Sequence, residues 1–409
     1  MARLGALKHD CQVAVVGAGP AGSAAAFFLA NLGLDVLLID RSEFPRDKTC
    51  GDALSPRALR VMEAMGALPE AGAFGQAIEG VRFIAPGGTS LKASIPPYPR
   101  HPPYAMILPR LILDDLLRRR ALAAGARFLG STHIVNLRPE RAAVELEANA
   151  GASPIRARAA VLATGAATSL LQASRILRRR PSFVLAARSY FEGLGRRREQ
   201  IDFHFDGVPL PGYGWVFPIG DGTANVGAGT LGSSTAFDRL GRNSRRLFDG
   251  FVGLPSMRAE LASGRPVGPV KSYPLRMDFA RSPTFAPRLL LAGEACGLVN
   301  PLTGEGIDYA LESGQIAAEF LAEILEDGEP RPTAWREYDR RLRRRYQRRF
   351  VFTERMRRVY LRPWFLDRFL RLARLRPDLE RMLVDIALGM RDAAQGTSAM
   401  TLFKIVVRG

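Results

Sequence analysis

Apolar and polar positions alternate differently at the two ends of the chain and in its middle. Near the start, Gln12–Val16 (QVAVV) is a short β-branched run of the kind a strand buried on both faces requires. The glycine-rich GAGPAG follows; SAAAFFLANLG then reads as a helix closed by Gly33, and LDVLLID as a second strand ending at Asp40. The apolar stretch from Ala24 to Ile39 is interrupted by Asn31, Gly33 and Asp35, which makes it helix, turn and strand rather than a membrane span. Far along the chain the pattern recurs: PRLLLAGEACG (Pro287–Gly297) is another buried strand, and a helix with apolar positions at helical spacing runs from Ile307 to Leu325. The middle has a period of two. Val81–Phe83, Ser182–Tyr190, Ile201–Phe205, Tyr213–Phe217 and Ala224–Ala228 predict an antiparallel sheet inserted between the flanking α/β segments. GDGTANVGAG has no helix after it and reads as a strand pair with a turn, while the proline-dense Ile95–Arg110 predicts a rigid loop at the junction.

The first glycine turn has a physical logic. Gly17 makes the tight turn, Gly19 lets the backbone approach a pyrophosphate, and Gly22 lets helix pack on strand. The pyrophosphate then meets the positive end of the helix dipole, and Asp40, 23 positions after Gly17, is spaced to take a ribose hydroxyl, with Arg41 beside it. A G-x-G-x-x-G alone is weak; here strand, turn, helix, strand and acid come in order. A second glycine-rich turn, Gly304 to Gly306, leads into the Ile307 helix. Two such turns exceed what a nicotinamide unit needs and suit a longer cofactor, its adenosine end at the first turn and a flavin at the second.

Composition adds charge and little else. The chain has 409 residues, enough for two or more domains, and 47% hydrophobic with 24% charged residues is ordinary for a folded protein. The net charge of +18 is not, and it is concentrated: Arg331 to Arg376 holds 17 Arg against 4 Asp or Glu, a net +13. Aromatics (Trp335, Tyr338, Tyr346, Phe350, Tyr360, Trp364, Phe365, Phe369) interleave with those arginines. The segment reads as a helix pair lying on an anionic membrane surface, or as a solvated face in an arginine-rich composition. No nucleic-acid-binding motif accompanies it. Three cysteines (Cys11, Cys50, Cys296) imply no disulfide framework and fit a reducing, cytoplasmic compartment; no signal peptide is visible. His9, His101, His133 and His204 lack metal-ligand spacing, so no metal is expected. Cys11 and Cys296 read as packing residues. Cys50 follows PRDK and precedes Gly-Asp, an electropositive setting that favours a functional thiol.

The pairing of GAGPAG with GEACGLVNPLTGEGIDYA resembles FAD-dependent oxidoreductases and monooxygenases of the para-hydroxybenzoate hydroxylase fold. FPRDKTCGDALSPRAL, LPRLILDDLLRRRA and PGYGWVFPIGDGTANVGAG narrow the resemblance to the geranylgeranyl reductase family, over about Val13 to Leu325. The resemblance implies FAD, with Gly17, Gly19 and Gly22 at its ADP portion, Asp40 at the adenosine ribose and Arg110 by the phosphoribityl region. Gly293 and Glu294 stand where the family usually has Gly-Asp on a ribityl hydroxyl. Gly304 to Ile307, with Gly306 between, would offer backbone N–H groups to the flavin pyrimidine. Ala163–Gly165 is Ala-Thr-Gly where many relatives have Ala-Asp-Gly, a departure that bears on nicotinamide docking. Tyr213, Trp215 and Phe217 share one strand face; that alternation also describes a plain aromatic core, but in relatives this strand lines an apolar tunnel for a prenyl chain. Cys50 matches a cysteine that relatives keep near the flavin.

The expected fold is α/β: a Rossmann-like FAD-binding domain (8–75, 105–175, 285–330), an inserted antiparallel β-sheet substrate domain (76–104, 176–284) and a basic C-terminal helical region (331–409). The expected function is FAD-dependent reduction of C=C bonds in a polyprenyl chain on a lipid, quinone or diphosphate. NAD(P)H or another reductant, such as an external electron-donor protein, would serve as electron donor, with the enzyme held peripherally at a membrane. The alternative is a flavin monooxygenase or halogenase, since Tyr-x-Trp-x-Phe-Pro is similar to a halogenase element.

Overall fold

Val13, Ala14 and Val15 are fully buried, and so are Ala159, Ala160, Val161 and Leu289–Leu291: the unbroken apolar runs form the centre of a parallel sheet with both faces covered. The computed structural model describes residues 9–149, 153–179, 181, 183–195, 199–230, 244–326, 328–360 and 362–390; Ser182, an expected strand start, and the tail 391–409 lie outside them. Along this sheet the order is Phe285–Ala286, Leu289–Leu291, Ile155–Leu162, Cys11–Val16, Val36–Ile39, Arg127–Leu129. From Leu289–Leu291 to Arg127–Leu129 every neighbouring pair is parallel. Ile134–Pro139 and Val144–Ala148 extend it as an antiparallel hairpin beside Ile155–Leu162.

The Pro20–Asn31 helix follows the first strand, and the Ile307–Glu326 helix packs along it. Proline at the first helical position and a run of alanines explain both its start and its close approach to neighbours.

The second sheet has seven strands, ordered Arg265–Arg276, Phe183–Glu192, Thr223–Thr230, Gly212–Gly220, Gln200–His204, Gly80–Ile84, Ser90–Ser94. All five expected strand positions belong to it, but it is not wholly antiparallel: Gln200–His204 runs parallel to Gly80–Ile84. Arg265–Arg276 is a strand the sequence pattern hides. Pro266, Pro269 and Pro274 lack a ladder donor, and the strand lies at the sheet edge where that is tolerated. The two sheet faces differ. Val216, Ala224, Val226 and Ala228 are covered by helices Ser244–Val252 and Pro255–Glu260. Trp215, Phe217, Phe203 and Ile201 face the other way. The proline-dense loop ends in Ala105–Ile107, central strand of a small three-stranded sheet, before the Arg110–Ala123 helix begins.

After the Ile307–Glu326 helix, four α-helices and one π-helical turn follow among the described residues rather than a helix pair. Trp335–Leu342 passes through a π-helical Arg343–Gln347 into Arg348–Tyr360, and Pro363–Ala373 and Pro377–Ala387 come next. Their aromatics are mostly not at the surface. Trp335, Tyr338, Tyr346, Phe350, Phe365 and Phe369 are all buried, because each lies on the inward face of an amphipathic helix; among the described side chains of that set Trp364, 49% exposed, is the exception, and the Tyr360 side chain lies outside them. Phe365, Phe369, Leu370, Met382 and Leu388 pack in one cluster with Trp215 and Phe217. The arginine-rich region is therefore part of the second core.

Candidate active site

One cavity of about 490 Å³ runs from the first glycine turn to the aromatic strand. Its lining reaches from Gly17 and Asp40 past Cys50 and Gly306 to Trp215 and Leu388, so one continuous space joins both glycine turns to the aromatic wall.

At one end, Gly17 has φ +104 and a Cβ there would meet the Ala163 carbonyl. Gly19 caps the Pro20–Asn31 helix with extended backbone and no side-chain cap. A Cβ on it would lie 3.7 Å from Arg46 Nη2 and 3.9 Å from Arg110 Nη2, so two guanidiniums face each other across an open cradle at a helix N-terminus. Asp114, fully buried, holds both: it accepts from Arg110 Nε at 2.6 Å and Nη2 at 2.7 Å, and from Arg46 Nη1 at 2.9 Å. Backbone N–H groups, a helix dipole and paired cations are what a pyrophosphate needs. Asp40 accepts from Ala18 N at 2.7 Å through Oδ2 and from Ser42 N at 2.9 Å through Oδ1, which fixes the carboxylate at the strand end; Arg41 lines the cavity beside it.

Gly22 and Gly293 do not line the cavity. A Cβ on Gly22 would collide with the Gly17 carbonyl, and one on Gly293 would come within 3.0 Å of Ala21 Cβ, so both serve close packing behind the turn. Glu294 does line it. Its Oε1 accepts from Arg276 N at 3.0 Å and its Oε2 lies 3.5 Å from Lys48 Nζ. At the second turn the expected row of amides is shorter than four: Gly304 N–H already donates to Asn300 O (2.9 Å) and Glu305 N–H to Thr303 Oγ1 (3.3 Å). Among the described residues Gly306 and Ile307 N–H have no acceptor, and both lie at the helix start on the cavity wall. Glu305 is raised well above the usual carboxylate range by burial and by Asp308.

The far end is apolar. Tyr213, Trp215 and Phe217 line the cavity together with Phe203, Ile201, Ala387 and Leu388. Phe203 meets Tyr213 and Phe217 edge-on, with centroids 5.3 and 5.4 Å away. Cys50, half-buried, lines the cavity between the two ends, as does Arg110. The Tyr213 hydroxyl donates to Thr303 O and is pushed upward by burial, with Cys50 and Glu305 nearby. Cys11 and Cys296 are buried, which pushes each thiol up to about 12. Sequence reasoning missed Arg46, Asp114, Asp52, Asn225, Tyr190 and Phe203. Asp114 carried a signal of its own, four residues after Arg110 on one helix face, while Arg46, Asp52 and Asn225 lay within the stretches that carry the resemblance.

These features fit FAD: a cradle that a Cβ at Gly19 would fill, two unpartnered amides at a helix start, and space beyond for a substrate. Residues 10–174 match the family model of the FAD binding domain, and the protein is an FAD-dependent oxidoreductase. Menaquinone reductase of Mycobacterium tuberculosis (strain H37Rv) is 37% identical over 332 residues, 77% of each chain. Digeranylgeranylglycerophospholipid reductase 1 of Methanopyrus kandleri is 32% identical over 340 residues, 81% of this chain and 86% of that one. A geranylgeranyl bacteriochlorophyll reductase-like structure from Thermoplasma acidophilum superposes with a TM-score of 0.75 at 23% identity, covering 97% of this chain and 96% of that one. A flavin-dependent brominase gives 0.73 at 17% identity over 98% of each chain. At these identities the two structures share the fold. The chain belongs to the geranylgeranyl reductase family.

Proposed function

We propose that this protein saturates C=C bonds of a polyprenyl chain, with FAD along the two glycine turns and the substrate laid against Tyr213, Trp215, Phe217 and Phe203. The observation that carries the reading is the continuity of one cavity from the paired guanidiniums at Gly19 to that aromatic wall, with Cys50 between. Gly17, Gly19, Arg46 and Arg110 would hold the pyrophosphate, Asp40 and Arg41 the adenosine side, Glu294 the ribityl chain, and Gly306 and Ile307 the pyrimidine edge. In this reading residues 8–75, 105–175 and 285–330 form the cofactor domain and 76–104 with 176–284 the substrate domain, the C-terminal helices closing the prenyl side.

Reduced flavin supplies a hydride when bound. An isolated trisubstituted alkene has no electron-withdrawing group, so the protein's task is to make positive charge bearable. Ring faces stabilise a developing tertiary cation, and the dry wall keeps water from trapping it. Cys50, beside Arg110, is placed to hold or pass the proton, directly or through a water. Each bond reduced takes one proton and one hydride. The helix start at Gly306 and Ile307 favours negative charge at the pyrimidine edge.

The testing experiment is anaerobic turnover of a prenylated lipid or quinone by photoreduced enzyme. The product gains hydrogen only; product that forms solely with O2 and contains oxygen or halogen overturns the proposal in favour of an oxygenase or halogenase. Access to such substrates calls for a bilayer. No helix among the described residues is long and apolar enough to cross one. Trp364, Arg371 and Leu375 share a face of the Pro363–Ala373 helix and its end, and all three are exposed. We infer that this face docks on anionic lipid.

A further inference from the structure

Behind the cavity wall lies a set of polar side chains to which the family resemblance assigns no role. Trp215 Nε1 donates to Asn225 Oδ1 at 2.9 Å. Asn225 Nδ2 donates to the Cys50 carbonyl at 2.8 Å and to Asp52 Oδ2 at 2.7 Å. The Tyr190 hydroxyl donates to the same Asp52 oxygen at 2.7 Å, and Arg110 N to Oδ1 at 3.3 Å. Asp52 and Asn225 are 0% exposed and Trp215 is 5%. The amide orientation follows from chemistry: indole N–H can only donate, whereas a carbonyl and a carboxylate only accept, so Oδ1 must face Trp215 and the amino group the loop. Both amide hydrogens and the oxygen are thereby used.

Such a unit is a poor way to gain stability, since apolar residues of the same volume would pack as well. It does something apolar residues cannot. Trp215 and Asn225 sit on neighbouring strands of the second sheet, whereas Cys50 and Asp52 belong to the loop after the Val36–Ile39 strand. One carboxamide thus ties the aromatic wall to the thiol loop, and Asp52, in left-handed backbone at φ +65, anchors it from behind.

We propose that Asn225, anchored by Asp52, is a positioning residue that fixes Trp215 and Cys50 relative to one another, so that ring and thiol meet the prenyl chain in one geometry. The proposal rests on the reductase reading for its substrate; the coupling itself is measurable without substrate.

The test compares three FAD-loaded variants. Asn225→Leu removes all three bonds at similar volume. Asn225→Asp keeps an acceptor for the indole but turns acceptors toward the Cys50 carbonyl and Asp52. Trp215→Phe removes only the indole bond. The first readout is the rate at which N-ethylmaleimide alkylates Cys50, located by peptide mass; the second is kcat and KM, separately, on a prenylated quinone. Alkylation should rise about tenfold in both Asn225 variants, the size that loss of a buried hydrogen-bond partner gives, and stay within roughly twofold of the parent in Trp215→Phe. In all three, kcat should fall about tenfold with KM moving far less, as for a lost positioning contact. Unchanged alkylation in Asn225→Asp overturns the proposal, and so does a rise in alkylation in Trp215→Phe as large as that in Asn225→Asp. Should Asn225→Leu fail to fold, the other two variants decide alone. Parent enzyme that shows the alkylation pattern but no prenyl turnover would refute the reductase reading and leave the coupling standing.

Discussion

Gly19 and Gly22 lie three residues apart in one turn, yet a side chain at each would do different damage. At Gly19 the backbone is extended and an added Cβ meets only guanidinium ends at ordinary contact distance, so the fold accepts it. At Gly22 an added Cβ strikes the Gly17 carbonyl, which cannot move without the strand. Gly19→Val should therefore fill the pyrophosphate cradle and abolish FAD retention while leaving the apo-protein Tm nearly unchanged; full FAD content in that variant would remove the first turn from the cofactor site. Asp52 gives a second test at this scale. Burial pushes its carboxyl up to about 6, against the pull of the Tyr190 and Asn225 hydrogen bonds, from an unfolded value of 3.8. A raised folded pKa means the folded state holds its proton longer, so this group's contribution is fully present below pH 3.8 and is lost as pH rises through about 6. Asp52→Asn has no such titration. The stability difference between parent and variant should shift by up to about 3 kcal/mol in the variant's favour between pH 4 and 7, read from paired denaturant curves. The glycines were legible because a turn allows few alternatives. Asp52 and Asn225 were not: each lies in a stretch that carries the resemblance, but they meet across 173 positions of chain and nothing local pairs them.

At the scale of elements, the cofactor end depends on how closely two helices pass. Gly314, on the Ile307–Glu326 helix, has Ala25 N 3.0 Å and Ala24 Cβ 3.1 Å from where its Cβ would be, and the Ala21 carbonyl nearer still. Together with the small residues of Pro20–Asn31, this holds both helix N-termini against the same sheet, one at each glycine turn. Gly314→Ala raises helix propensity, yet overpacking here should cost about 1–3 kcal/mol and weaken FAD binding. A stabilised variant with unchanged FAD affinity would show that the close approach is not needed. Unbroken apolar runs and glycine turns made these elements readable from sequence. The Arg265–Arg276 strand was unreadable because its prolines argue against a strand everywhere except at an edge, and edge position is a property of the whole sheet. The aromatics after Arg331 misled for a similar reason: periodicity gives a helix an apolar face but not whether core or lipid covers it.

For the whole molecule, the +18 charge must be reconciled with arginines that are partly committed inside the protein. Arg349 is buried and donates to Gly389 O, Arg343 donates to Phe279 O and Ser282 O, and Arg345 pairs with Glu312. These hold the C-terminal helices against the cofactor turn, and reversing their charge would test folding, not docking. Arg362 and Arg371 are exposed at the Pro363–Ala373 helix, on either side of Trp364 in sequence. An anionic surface is worth about 1 kcal/mol per basic residue near it, and an interfacial tryptophan adds its apolar area. The protein should therefore co-sediment with anionic but not neutral liposomes, and release as salt shortens the Debye length from about 8 Å toward 3 Å. Arg362→Glu with Arg371→Glu and Trp364→Ala should cut that binding about tenfold or more, by the loss of two attractions and the gain of two repulsions. FAD content and turnover of a short soluble prenyl analogue should stay at parent levels, because none of the three lines the cavity. Parent-like sedimentation of the triple variant would mean that this face is solvated and that the arginine excess has no lipid partner there.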